Sequence, residues 1–278
     1  MFDSLVIFDL LPIVALLIGA GIVAGIIAGL LGVGGGTVVV PVLFQTLLAI
    51  NIDPAICMHL AVGTSLCLMV TTGFSSARAH YIRDGVDKNV VIEWGPWIIF
   101  GVFIGSFLAD ISHSAVLNMI FAVVAILAAI RLITPEQKSY SKPFLMDTPW
   151  RQGLPTVIGG ISTMMGIGGG SMTVPTLTIY GFPAQRAVAT SSVVGLFIAI
   201  PGTIMFAING LNHPNLPTGS VGYIYVPAFL IMLPVSAVSA PFGASLAHII
   251  DGLLLKRGFA VFLVIVSAQM AWSAFTHW

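Results

Sequence analysis

The first lysine or arginine in this chain is Arg78, and all ten basic residues fall in four places: Arg78, Arg83 and Lys88; Arg131, Lys138, Lys142 and Arg151; Arg186; Lys256 and Arg257. Between these places run apolar segments long enough to cross a hydrocarbon core about 30 Å thick as helices. Hydrophobic residues make up 58% of the 278 and charged ones 7%, whereas a soluble domain carries about 25% charge. Such a chain cannot cover itself with a surface that water accepts. The sequence therefore predicts an all-α polytopic membrane protein. A membrane β-barrel would show alternating segments of about ten residues instead.

A net charge of zero and the lack of a basic tract exclude a nucleic-acid binder. The start, Met1-Phe2-Asp3-Ser4, has no basic n-region, so the first apolar run is expected to stay in the protein. Cys57 and Cys67 lie in apolar sequence without disulfide or zinc spacing and read as packing residues. No cofactor or metal is expected.

Two of the apolar runs are broken by the same sequence. Gly32-Val33-Gly34-Gly35-Gly36-Thr37-Val38-Val39-Val40-Pro41 returns 134 residues later as Gly166-Ile167-Gly168-Gly169-Gly170-Ser171-Met172-Thr173-Val174-Pro175. Glycine costs a helix about 1 kcal/mol relative to alanine, so each cluster predicts a break. Residues 37–50 would make a helix only about 21 Å long at 1.5 Å per residue. Segments 13–50 and 152–180 are therefore expected to be hairpins with their tips inside the membrane. Gly21, Gly25 and Gly29 mark one face of the first arm as a close-packing stripe.

Helices are expected at about 54–77, 92–110 and 115–133 in the first half. Their counterparts in the second are expected at about 184–208, 221–248 and 254–275. The likeness of the halves extends past the glycines. Ala61-Val62-Gly63-Thr64-Ser65 matches Ala187-Val188-Ala189-Thr190-Ser191 at an offset of 126, and Phe121-Ala122-Val123 matches Phe259-Ala260-Val261 at 138. The domain organisation read from this is a first transmembrane repeat at 1–134, a cytoplasmic linker at 135–151 and a second repeat at 152–278.

Charge relates the halves to each other. Under the positive-inside rule the four basic places face the cytoplasm. The loop at 209–219 has no lysine or arginine and is expected outside, while its counterpart at 78–91 is basic and expected inside. The repeats then have opposite orientation, with about five helical segments each and both termini external. Interrupted helices in inverted repeats are a recurring transporter design.

A helix starting at Thr37 or Ser171 presents unpaired N–H groups and partial positive charge, and glycines before it let a ligand approach the backbone. Two such ends facing each other would hold an anion without a buried lysine or arginine. The expected substrate-binding residues are Gly34, Gly35, Gly36 and Thr37 with Gly168, Gly169, Gly170 and Ser171. Thr64, Ser65, Thr190 and Ser191 join them as hydroxyl donors, against the alternative of bonding back to their own helices. His59, His80 and His248 read as interfacial, as does Glu93. No P-loop lysine follows the glycines, so a nucleotide site is excluded.

The paired motifs, each followed by its Ala-Val-x-Thr-Ser segment, resemble the TauE/SafE family of sulfite and organosulfonate transporters over about 13–275. That resemblance implies export of a small sulfur-containing anion, such as sulfite or an organosulfonate, across the cell inner (plasma) membrane. Alternatives left open are an importer of thiosulfate or another oxyanion, a passive anion channel, and a sulfur relay using Cys57 or Cys67. The expected partners are the anion and the lipid bilayer, with a homodimer admitted, and no enzymatic activity is expected.

Overall fold

The structure, a computed structural model, describes residues 4–31, 35–82, 84–133, 150–211, 213–246 and 252–276. Among them are ten helices: α1 (Ser4–Leu31), α2 (Gly36–Ala49), α3 (Pro54–Ile82), α4 (Lys88–Asp110), α5 (Ser114–Ile133), α6 (Trp150–Met165), α7 (Gly170–Ile179), α8 (Ala184–Gly210), α9 (Val226–Leu246) and α10 (Gly252–Thr276). Seven of these are long and apolar enough to cross a membrane, while α2, α6 and α7 are shorter. The all-α polytopic class is thus the observed one, and the chain is a multi-pass membrane protein.

Two boundaries depart from the sequence reading for local reasons. Helix α4 begins at Lys88 rather than near 92, because the Asp87 carboxylate accepts the N–H groups of Asn89 at 3.1 Å and Val90 at 3.3 Å. That is a side-chain N-cap, worth about 1 kcal/mol. Helix α9 begins at Val226 rather than 221, because a small hairpin precedes it. Its strands, β1 (Ser220–Val221) and β2 (Ile224–Tyr225), pair antiparallel across Gly222 and Tyr223. Gly222 has φ 55°, as the first position of a two-residue hairpin turn requires. Most of the linker, with Lys138, Lys142, His248 and Asp251, lies outside the described residues.

The most extensive helix pairs are α1 with α9, α4 with α6, α5 with α10 and α3 with α8. Each joins a helix of 4–133 to one of 150–276. Exchanging α1–α5 for α6–α10 turns the first pair into the second and leaves the other two unchanged. The halves interleave rather than forming separate lobes.

Glycines set the closest approaches. A Cβ on Gly25 would strike Ser236 of α9, and one on Gly105 would strike Gly160 of α6. Small residues allow this contact in lipid, where packing rather than hydrophobic burial holds helices together.

Helices α3 and α8 occupy the centre. Ile56, Leu60, Ala61, Val62 and Leu66 of α3 are fully enclosed, as are Val194 and Ile198 of α8. By contrast α4 turns Ile92, Phe100, Phe103 and Phe107 outward, which suits acyl chains. Polarity is inverted relative to a soluble domain. Thr64, Ser65, Thr190 and Ser191 are all within 1% of complete burial.

Candidate functional site

The glycine motifs do start helices inside the protein. Helices α2 and α7 begin at Gly36 and Gly170, one residue before the hydroxyl residues. Just before α2, Gly35 has φ 59°, and its carbonyl accepts from Val38 and Val39 N–H at 3.0 and 3.1 Å. Gly169 is right-handed instead, with φ −50°, and its carbonyl accepts from Met172 and Thr173 N–H at 3.3 and 2.7 Å. The N–H groups of Gly170 and Ser171 precede these bonds and lie at the open end of α7, where the helix is partially positive. Pro41 and Pro175 lack an N–H, so the carbonyls of Thr37 and Ser171 lose their usual donors.

The two tips meet. A Cβ on Gly36 would fall 2.5 Å from the Gly166 carbonyl oxygen and 3.1 Å from Ile167 Cα. Gly166, at φ 65°, is pressed against Val62 of α3 and Val40 of α2. Ser65 Oγ donates to the Gly166 carbonyl at 2.7 Å. Gly36 and Ser65 of the first half thus meet the Gly166–Ile167 turn, which leads into Gly168, Gly169, Gly170 and Ser171, while Gly35 packs on Ala24 and Ala28 of α1. Gly34 lies outside the described residues.

Thr64 and Thr190 have structural partners in matching places. The Tyr225 N–H, just before α9, donates to Thr64 Oγ1 at 2.8 Å. The Asp87 N–H, just before α4, donates to Thr190 Oγ1 at 2.9 Å. Each threonine therefore holds the loop that enters a helix of the other half. Asp87 also pairs with Arg186 at 3.2 Å. Ser191, unlike Ser65, bonds back to Val188 in its own helix at 2.8 Å.

Unpaired hydroxyls gather at the tips. Thr46, Thr163 and Thr203 each bond the carbonyl four residues earlier, which is how threonine settles inside a helix. Among the described residues, Thr37, Ser171, Thr173 and Ser220 have a buried hydroxyl oxygen without any partner. Three of the four are in the first turn of α2 or α7. Thr37 is 4% exposed and Thr173 wholly buried. Thr173 escaped the sequence reading although it stands within the second motif, where the first has Val39. That mismatch was the available signal.

A second polar group lies at the α3 start. His59 is enclosed by protein rather than interfacial, with Nε2 2.9 Å from the Ala109 carbonyl. Its ring centroid lies 5.0 Å from that of Tyr223, and His213 lies 5.9 Å beyond on the same tyrosine. Tyr223 hydrogen-bonds Asp110. Burial first, then the Asp110 charge and that bond, push the phenol up to about 12, so it stays a protonated donor at neutral pH. Cys57 is fully buried and directed at the Ile52 carbonyl. Elsewhere, a groove of about 580 Å³ between α1 and α9 is lined by Ile22, Ile26, Val235, Val238 and Phe242. It is too apolar for an anion.

Membrane-spanning helices around α3 and α8, with two short helices that start at buried uncharged turns, are an arrangement that membrane transporters use. The sequence profile described as "Sulfite exporter TauE/SafE" matches residues 17–270, and the chain belongs to that family. It is similar to a probable membrane transporter protein of Haemophilus influenzae, with 34% identity across 93% of this chain and 97% of the relative. A probable membrane transporter protein of Methanocaldococcus jannaschii is 28% identical across 81% of this chain and 83% of its own. The Bacillus subtilis protein YunE, also a probable membrane transporter, is 28% identical across 72% and 80%. No solved structure matches. The chain is accordingly a transporter of a small molecule and not an enzyme.

Proposed function

We propose that the chain exports a small sulfur-containing anion, such as sulfite or an organosulfonate, across the inner membrane, binding it between the α2 and α7 tips. The observation that carries this is the set of unpaired buried hydroxyls in the first turns of α2 and α7, with the Gly36 start of α2 packed on the Gly166–Ile167 turn that leads toward α7. An unpaired buried hydroxyl costs about 1–3 kcal/mol, and an anion is the ligand that several donors without acceptors suit. No lysine or arginine occurs in 32–41 or 166–175, so the charge of the anion is met by dipoles and release is not opposed by a fixed cation.

The same reading makes 1–134 and 152–278 inverted repeats, with 135–151 as a cytoplasmic linker. It is supported by Asp53, just before α3, receiving Asn215 of the 213–219 segment, while the corresponding first-half loop follows the other end of α3. Transport then runs by alternating access. Thr64 with Tyr225 closes one side and Thr190 with Asp87 closes the other. On α3 the latch is one residue from Ser65, which holds the Gly166 turn, so loosening the hairpin and parting the tips are mechanically joined.

The test is flux of labelled sulfite, methanesulfonate and thiosulfate in vesicles containing the purified protein, with and without a proton gradient. Saturable flux of sulfite or methanesulfonate, with mutual competition, is expected. Flux that rises linearly without saturation would mean a passive channel, and movement of thiosulfate alone would overturn the substrate assignment.

A further inference from the structure

We propose that the two tips divide a bound anion between them. Its charged oxygens lie against α7, where Thr173 adds a second hydroxyl beside Ser171, and its uncharged substituent lies against α2, between Val39 and Met69. This rests on the tips being the binding site. It goes further by assigning Thr173, Val39 and Met69 and by asking for an anion with a short apolar substituent.

Thr173 in α7 corresponds to Val39 in α2, and Gly195 in α8 corresponds to Met69 in α3. Met69 Sδ lies 3.0 Å from where a Cβ on Gly36 would stand, so its thioether covers the α2 tip. At the matching place a Cβ on Gly195 would meet only the Gly169 nitrogen, at 3.8 Å. The Gly195 position therefore brings no side chain over the α7 tip as Met69 does over the α2 tip. Thr173 Oγ1 lies 3.2 Å from the Cβ position of Gly169, beside the backbone that a ligand would approach. Val194 and Ile198 wall that side and exclude water from it.

The halves consequently differ in donors. The α7 tip offers the Gly170 and Ser171 N–H groups with the hydroxyls of Ser171 and Thr173, while the α2 tip has Val39 in place of Thr173 and Met69 of α3 over Gly36, each 5% exposed. A wholly inorganic oxyanion has nothing to place against the thioether and valine. An alkyl group does, gaining about fourfold in affinity per buried methylene.

The experiment measures binding of sulfite, methanesulfonate and propanesulfonate to the full chain in detergent, for Thr173→Val, Thr173→Ser, Met69→Ala and Gly169→Val. Wild type should prefer propanesulfonate to methanesulfonate. Thr173→Val should weaken all three about tenfold, as for a lost hydrogen bond to a charged group, and Thr173→Ser should restore binding. Met69→Ala should reduce the propyl preference and leave sulfite unchanged. If Gly169→Val abolishes binding while Thr173→Val does not change it, the division is wrong although the tips bind. Equal effects of Met69→Ala on sulfite and propanesulfonate would also overturn it. Unchanged binding in Gly169→Val would instead remove the tip site itself.

Discussion

Gly35 and Gly169 hold matching places in the two motifs but not matching conformations. Gly35 is left-handed, a state that costs other residues about 1–2 kcal/mol. Gly169 is right-handed, yet a Cβ there would press to 2.8 Å from Val194. Gly35→Val and Gly169→Val are both expected to abolish anion binding while protein still reaches the membrane, the first through backbone strain and the second through crowding. Thr37→Val and Ser171→Ala should each weaken binding by up to about tenfold. Their double mutant should depart from additivity if both face one ligand. Binding isotherms of the four single variants and the double decide this; full affinity in both valine variants would make the clusters mere hinges. The glycines and first-turn hydroxyls were legible because they are duplicated. Thr173 was not, since the second motif alone carries it, and no sequence pattern shows which threonines lack a helical acceptor.

At the scale of elements, the long helices could be read from apolar runs, whereas the α9 hairpin could not. Two-residue strands carry no periodicity, and only the close approach of Gly222 to Ala207 explains why the chain turns there. The duplicated threonines were legible as a pair, but their work as loop anchors depends on helices from opposite halves lying side by side. Loss of either anchor leaves a loop N–H unpaired, on the α9 side in Thr64→Val and on the α4 side in Thr190→Val. A cysteine replacing Thr37, with Cys57 and Cys67 removed, should then react with an impermeant thiol reagent from the external side in Thr64→Val and from the cytoplasmic side in Thr190→Val. Reaction from the same side in both would refute the two latches. The Arg186–Asp87 pair adds little to its latch, since Arg186 is 54% exposed and such pairs are worth about 0–1 kcal/mol.

For the whole molecule, interleaving has a consequence for topology. If the repeats are inverted, single cysteines at Lys138 and Asn215 should be labelled from opposite faces of the membrane, and labelling from one face would end that reading. The orientation read from ten basic residues rests on the positive-inside rule alone, and this labelling tests it. The handover of helices between halves was not legible, because it is written in small-residue contacts such as Gly25 on Ser236 rather than in any composition. If the tips hold the anion, their lack of lysine and arginine bears on the electrical character of the cycle. With no ionisable side chain in either motif to carry across the field, the unloaded protein would reset without moving charge there, and only the loaded step would feel the voltage. A monovalent anion leaving an inside-negative cell gains about 2.3 kcal/mol per 100 mV, close to a fiftyfold concentration ratio. The membrane potential would then favour outward flow until the outside concentration exceeded the inside by about that ratio.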